Sequence, residues 1–227
     1  MFLKVLNKDL KHHGFQYKEG LNVDTVPFNP SGDCESGGLY YATTEHIFKF
    51  LSFGYFIADV TIPQDAKVYE TKGKFKADRI ILSNIRRVEV YINSLPYESQ
   101  LNAVKQNGYL LKYVKNQTPE LCLDALKQNG YALRYVKEQT PEICLTAVKR
   151  YGHALQYVKE QTPEICMDAV KRNGMALECV LNQTPEICLE AVKQDWRALY
   201  HVINKTREIC AEAIKQIDNL ATNRFST

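Results

Sequence analysis

The sequence predicts a small α+β domain followed by an all-α solenoid of short helical hairpins. Two observations carry this. First, the C-terminal half repeats itself with a step of 22 residues. Ala103, Ala125, Ala147, Ala169, Ala191 and Ala213 mark the step, each followed by Val, Leu or Ile and then Lys. A fixed step without insertions is the mark of stacked structural units. Second, the first part of the chain lacks this period and alternates short apolar runs with glycine- and proline-rich breaks. The expected organisation is one domain over 1–94, about six repeats over 95–220 and a frayed tail over 221–227.

Taken in order, Phe2–Leu6 reads as a strand and Asn7 to His13 as a turn or short helix. Gly14 to Gly20 alternates aromatic and polar residues, as a half-buried strand does. Val26 to Gly38 holds Pro27, Pro30, Gly32, Gly37 and Gly38 and is a loop. Leu39–Ala42 is a second strand. Thr43-Thr44-Glu45 then opens a helix that carries Ile47, Phe48, Phe50 and Leu51 at helical spacing and ends at Gly54. Tyr55 to Pro63 is the strongest strand, rich in aromatic and β-branched residues, and Val68–Glu70 is a shorter one. Ala77–Leu82 and Arg87–Ile92 are apolar runs that fit either type of element.

In the repeat, taken at Thr140 to Gln161, Thr140 is the N-cap and Pro141 stands at N1, where its missing N–H costs nothing. Ile143, Cys144, Leu145, Ala147 and Val148 are apolar, and Glu142, Thr146, Lys149 and Arg150 form one narrow polar stripe. Gly108, Gly130, Gly152 and Gly174 are placed to end these helices at C′ with positive φ. A second, shorter helix follows, on which Ala154, Leu155 and Val158 share a face. Helices of about 12 and about 8 residues are not stable alone, so the units must stack. The end copies depart from the consensus: Pro96-Tyr97-Glu98 opens the first, Lys205-Thr-Arg replaces Gln-Thr-Pro near the last, and Trp196 replaces the glycine. The tryptophan predicts a different turn, with its indole over the end of the core.

A net charge of +3 is too small to imply nucleic acid by itself, and 45% hydrophobic residues describe a folded chain rather than a disordered one. No apolar run approaches the roughly 18 residues of a membrane helix, and the N-terminus lacks a signal-peptide pattern. The expected setting is therefore unsecreted. No metal-ligand spacing and no phosphate-binding glycine motif is present, so no metal and no cofactor is expected. Cys34 in its glycine-rich loop is a candidate nucleophile with His13 or His46 as base; the plainer reading is a loop thiol and surface histidines.

Three ladders run through the repeats. Cys122, Cys144, Cys166, Cys188 and Cys210 read as small buried residues that let helices approach. Helices about 8–10 Å apart do not bring Cα atoms within disulfide reach. Tyr113, Tyr135 and Tyr157, with Lys115, Lys137 and Lys159 two residues beyond, are either packing between repeats, a protein-binding face, or a surface for single-stranded nucleic acid. Lys105 to Lys215, interleaved with acidic rows, read as a mixed-charge solvent face on which Asp168 pairs with Lys171 or Arg172. Specificity is expected in what varies between copies, at Tyr109, Tyr131, His153, Met175 and Arg197.

Two resemblances follow from these residues. Gly-Leu-Tyr40-Tyr41-Ala followed by Thr43-Thr44 resembles the nucleotide-binding region of ADP-ribosyltransferase folds, which implies a head-domain cleft around Tyr40, Tyr41 and Thr43. Gly14-Phe-Gln-Tyr-Lys-Glu-Gly and Gly38-Leu-Tyr-Tyr-Ala-Thr-Thr-Glu resemble the domain preceding ankyrin repeats in mimivirus-type giant-virus proteins. The unit Gln-Thr-Pro-Glu-Ile-Cys-Leu-x-Ala-Val-Lys-x-Asn-Gly resembles a short α-repeat of the same viruses. The resemblance implies a viral protein acting in the host cytoplasm or virion and carries over no catalytic residue. The expected function is a non-enzymatic scaffold that binds a host or viral protein, with no membrane. A head-domain transferase and a nucleic-acid binder are the alternatives.

Overall fold

The computed structural model describes residues 1–12, 14–31, 35–71 and 73–224, with side chains to Asn219. His13, Gly32 and Cys34 lie outside the described residues, as does the tail beyond Arg224. The chain divides into two compact units, Met1–Lys115 and Asn116–Thr227.

The first unit is built on nine strands: β1 (Phe2–Leu6), β2 (Lys11–His12), β3 (Phe15–Gln16), β4 (Gly20–Val23), β5 (Leu39–Thr43), β6 (Phe56–Thr61), β7 (Val68–Thr71), β8 (Lys74–Ala77) and β9 (Arg79–Arg87). Seven of them form one antiparallel sheet in the order β4-β9-β6-β1-β5-β8-β7, and β2-β3 form a separate hairpin. Alternation along the strands gathers Leu6, Leu39, Tyr41, Ala58, Val60, Ala77, Ile80 and Leu82 into one core, with Tyr17 packed among them. Helix α1 (Val88–Ser94) buries Val88, Tyr91 and Ile92, so the second of the two ambiguous runs is mostly helix, while the first runs from the end of β8 into β9.

The expected helix after Thr43 does not form. Strand β5 extends through Thr43, whose Oγ1 lies 2.9 Å from His46 Nδ1, and two 3-10 turns follow at Ile47–Lys49 and Leu51–Phe53. Ile47, Phe48 and Leu51 are buried. A three-residue turn buries them without the length an α-helix requires.

The periodic units begin with α2 (Tyr97–Gln106) and its 3-10 turn Gly108–Tyr113, which belong to the first unit. The second unit holds α3 (Pro119–Gln128), α4 (Pro141–Arg150), α5 (Pro163–Arg172) and α6 (Pro185–Gln194), each followed by a six-residue 3-10 turn, and then α7 (Arg207–Arg224). The N-caps fall where expected: Thr118, Thr140, Thr162 and Thr184 accept the amide three residues on at 3.2–3.3 Å. In α4 the buried residues are Ile143, Cys144, Ala147 and Val148, and the other copies repeat the pattern.

The second helix of each pair is 3-10 rather than α, and the glycines are not positive-φ caps. The residue before each glycine is extended, and the glycine opens the 3-10 turn. What requires glycine there is space. A Cβ on Gly130 would stand 2.7 Å from Ala147 O, and one on Gly152 2.6 Å from Ala169 O, each a carbonyl of the next copy. Trp196 does not change the turn either. Trp196–His201 is the same 3-10 segment with the same extended cap at Asp195, and the half-buried indole lies against Tyr200. The break comes later, where α7 runs on to Arg224 past the expected end of the sixth copy.

Candidate functional site

A side chain that the ladders overlooked fastens the copies together. Gln139 donates through Nε2 to Tyr157 O at 2.9 Å and accepts the Lys159 amide on Oε1 at 3.0 Å. Gln117, Gln161 and Gln183 do the same one copy away, so each glutamine closes a two-point bridge to the backbone of the next copy. The cysteines are subsidiary: Cys144 Sγ lies 3.8 Å from Gln139 Oε1, and burial pushes the thiols of Cys122, Cys144, Cys166 and Cys188 up. The six cysteines among the described residues are free.

The varying position is the second residue of each 3-10 turn. Asn107, Asn129, Asn173 and Asp195 accept the amides of Tyr109, Tyr131, Met175 and Arg197 at 3.0–3.2 Å. Tyr109, Tyr131, His153 and Met175 are half-buried and Arg197 is exposed. Tyr113, Tyr135 and Tyr157 are half-buried as well, and part of their surface is spent inside the fold. Tyr113 Oη reaches Gly54 O at 3.4 Å, and the Arg134 guanidinium lies 5.2 and 5.3 Å from the Tyr135 and Tyr157 rings. Lys115, Lys137 and Lys159 are exposed; Lys159 Nζ donates to Lys137 O at 2.8 Å. Asp168 pairs across copies with Lys149 at 3.4 Å, not within its own helix as expected.

One copy departs from this plan. Tyr151 stands where the others carry Asn or Asp, so it cannot accept the His153 amide. It stacks instead on Tyr131 of the preceding copy, with ring centres 5.3 Å apart. Arg150 and Arg172 replace the glutamine that ends α2, α3 and α6. Where the glutamine is kept, Gln194 Oε1 accepts the Gly174 amide; Arg172 offers Gly152 no such acceptor. Tyr131, Arg150, Tyr151 and Arg172, with Gly152, His153 and Asn173, line a notch of about 170 Å³. His153 is held in one tautomer. Asn173 Oδ1 takes the Met175 amide, so its Nδ2 donates to His153 Nδ1, and Nε2–H faces Glu178 at 3.1 Å. Arg172 Nε is anchored on Arg150 O at 3.3 Å, and the Arg150 guanidinium lies 5.8 Å from the Tyr151 ring centre. Among the described residues neither arginine has a carboxylate partner.

A second overlooked feature lies in the row of Lys115, Lys137 and Lys159. Its next two members are Leu181 and Ile203, 72% and 71% exposed, and Tyr200, three residues before Ile203, is 76% exposed. The signal was present in the alignment of copies as a change from lysine to branched apolar residues.

In the first unit, a cleft of about 440 Å³ runs along β1 and β5, lined by apolar side chains, Tyr40, Tyr41, Lys4, Lys11, His12 and Lys74. Thr43 is not in its lining, and no carboxylate lines it among the described residues. Tyr40 and Tyr41 are consecutive in β5 and so face opposite sides of the sheet; Tyr41 stacks on Phe75 in the core.

Residues 98–140, 140–183 and 162–207 match the family model described as Domain of unknown function (DUF4116). An ankyrin repeat protein of Acanthamoeba polyphaga mimivirus is 37% identical over 89 residues, 36% of this chain and 44% of that protein. The resemblance to mimivirus-type giant-virus repeat proteins holds. Another ankyrin repeat protein of that virus is 31% identical over 117 residues, 48% of this chain and 35% of its own, and an uncharacterized protein is 37% identical over 67 residues, 29% and 49%. The chain thus spans less than half the length of these mimivirus relatives. Its own unit of 22 residues differs from the roughly 33 of an ankyrin repeat. No solved structure matches the chain. No described helix is long and apolar enough to cross a membrane.

Proposed function

We propose that the repeats form a protein-binding scaffold that engages a host or viral protein through the side chains on and just after the 3-10 turns, in the host cytoplasm or the virion. The observation that carries this reading is the exposed trio Leu181, Tyr200 and Ile203. Leu181 and Ile203 hold successive places of one surface row and leave most of their apolar surface in solvent, and such exposed apolar side chains mark protein contacts. The ankyrin repeat relatives support the same class of function. Single-stranded nucleic acid is less well supported, because a phosphate track needs the basic row to continue and it turns apolar at Leu181. The transferase reading lacks an acidic side chain at the head cleft.

The test restores what the other copies carry. Leu181→Lys with Ile203→Lys is expected to leave the circular dichroism spectrum and denaturation midpoint unchanged and to abolish cross-linking to the partner captured by wild-type protein from infected host cells. Capture undiminished by the double substitution sinks this face as the docking site.

A further inference from the structure

We infer that the notch framed by Arg150 and Arg172 binds a phosphorylated serine or threonine side chain presented by the partner protein. The inference rests on the scaffold reading for the source of that side chain, and on the notch itself for the chemistry.

Three observations converge. The first is charge: two guanidiniums border one small cavity, and neither has a carboxylate partner among the described residues. Glu178 accepts from His153 Nε2–H and stands outside the lining, so the charges that border the cavity itself are the two guanidiniums. Two bordering guanidiniums match a phosphate dianion better than a single carboxylate. The second is positioning. Arg172 Nε is fixed on the Arg150 carbonyl, and its two terminal nitrogens make no hydrogen bond among the described residues, so they remain for an anion in the planar fork that suits phosphate. Arg150 is steadied against the Tyr151 ring. The third is size. A volume of about 170 Å³ holds about five or six waters at roughly 30 Å³ each. That space accepts a phosphate on a short stem, with the stacked Tyr131 and Tyr151 rings as an apolar wall.

The departures from the repeat also coincide. The arginines at 150 and 172 and the tyrosine at 151 meet in this one notch, and the plain copies show that the fold does not require them.

The experiment uses the full chain, labelled with nitrogen-15. It is titrated with a neutral peptide, acetyl-Gly-Gly-phosphoserine-Gly-Gly-amide, and with versions carrying serine or glutamate at the same position. Saturable shifts confined to the amides of Gly152 and His153 and to the arginine side-chain signals are expected with the phosphopeptide. Binding of each single variant, Arg150→Gln and Arg172→Gln, should be about tenfold weaker or worse. Glutamine is the residue that plain copies carry there, so these variants are expected to fold, and Arg172→Gln gives the Gly152 amide the acceptor that Gln194 gives Gly174. Equal binding of the glutamate peptide, absence of saturable shifts, or binding unaffected by either variant overturns the inference. So does tighter binding of an oligothymidylate at the same amides. Each of these outcomes leaves the scaffold reading standing, because that reading is tested at Leu181 and Ile203, whereas loss of partner capture in the lysine variants with phosphopeptide binding intact removes the scaffold reading alone.

Discussion

Gln161 illustrates how one residue serves the whole stack. Its amide donates to Cys179 O at 2.8 Å and accepts the Leu181 amide at 3.0 Å, so deleting it strands two backbone groups of the next copy. Gln161→Ala is expected to cost about 1–3 kcal/mol, whereas Cys166→Ala should cost less, because its sulfur makes only a weak 3.5 Å contact and alanine remains small and apolar. Urea denaturation followed by Trp196 fluorescence compares the two; a costlier cysteine variant would reverse the roles assigned here. Gly152 supplies the second residue-scale prediction. Gly152→Ala is expected to cost about 1–3 kcal/mol by forcing a Cβ against Ala169 O. Gly152→Asn should cost at least as much, although asparagine would be well accepted at a left-handed cap. Rescue by asparagine would restore the cap reading. The cap was the natural inference from a glycine after a helix, and it failed because the reason for glycine is a contact 17 residues away, which no local pattern displays.

At the scale of the element, β1 carries an anomaly. Lys4 faces the core between Phe2 and Leu6 and is 2% exposed. Burial holds its amine down to about 7, even though Tyr40 O accepts from Nζ at 2.6 Å and the Tyr17 ring lies 4.3 Å away. The unfolded chain keeps its lysine protonated to about 10.5. Between 7 and 10.5 the unfolded state therefore binds the extra proton, and the stability of the first unit rises with pH. Buried Tyr17 and Tyr41 act oppositely: burial raises both hydroxyls, Tyr41 to about 12, so above pH 10 unfolding is favoured by their ionisation. The sheet should be most stable near pH 9–10. Lys4→Met is expected to stabilise it by an amount on the order of a few kcal/mol at neutral pH, with the gain shrinking as pH rises toward 10. Denaturation followed by circular dichroism, with Trp196 fluorescence reporting the other unit separately, reads this. A gain independent of pH would mean that the amine is not held neutral. The strands themselves were legible from alternation, as at Phe56–Thr61. The Thr43 helix was misread because Ile47, Phe48 and Leu51 fit helical spacing, while their burial needs only two 3-10 turns.

For the molecule as a whole, the period disclosed the architecture, and the departures from it disclose the surface. Threonine caps, N1 prolines and the buried Cys–Ala rung were readable because each is local to one helix. The glutamine bridge, the order of the sheet and the notch at Arg150 were not, since each joins residues about 20 or more apart in sequence. This division has a mechanical consequence. From α3 to α6 each copy is fastened to its neighbour by the same bridge, the same glycine contact and the same buried face, so stability there should be close to a sum of like interfaces. Repeating residues 162–183 once more in tandem keeps every junction native: Gln161 and both copies of Gln183 still meet the carbonyl 18 residues on and the amide 20 residues on. The lengthened protein is expected to fold, with a steeper denaturant dependence of its Trp196 transition and a midpoint no lower than that of the wild type. Lys205 stands where the bridge-forming glutamine would continue, and its Nζ turns back to Val202 O. The copy beyond it should accordingly be the least protected in hydrogen exchange, in the parent and the lengthened chain alike. Protection in α7 equal to that of α5 would show that the bridge is not what couples the copies.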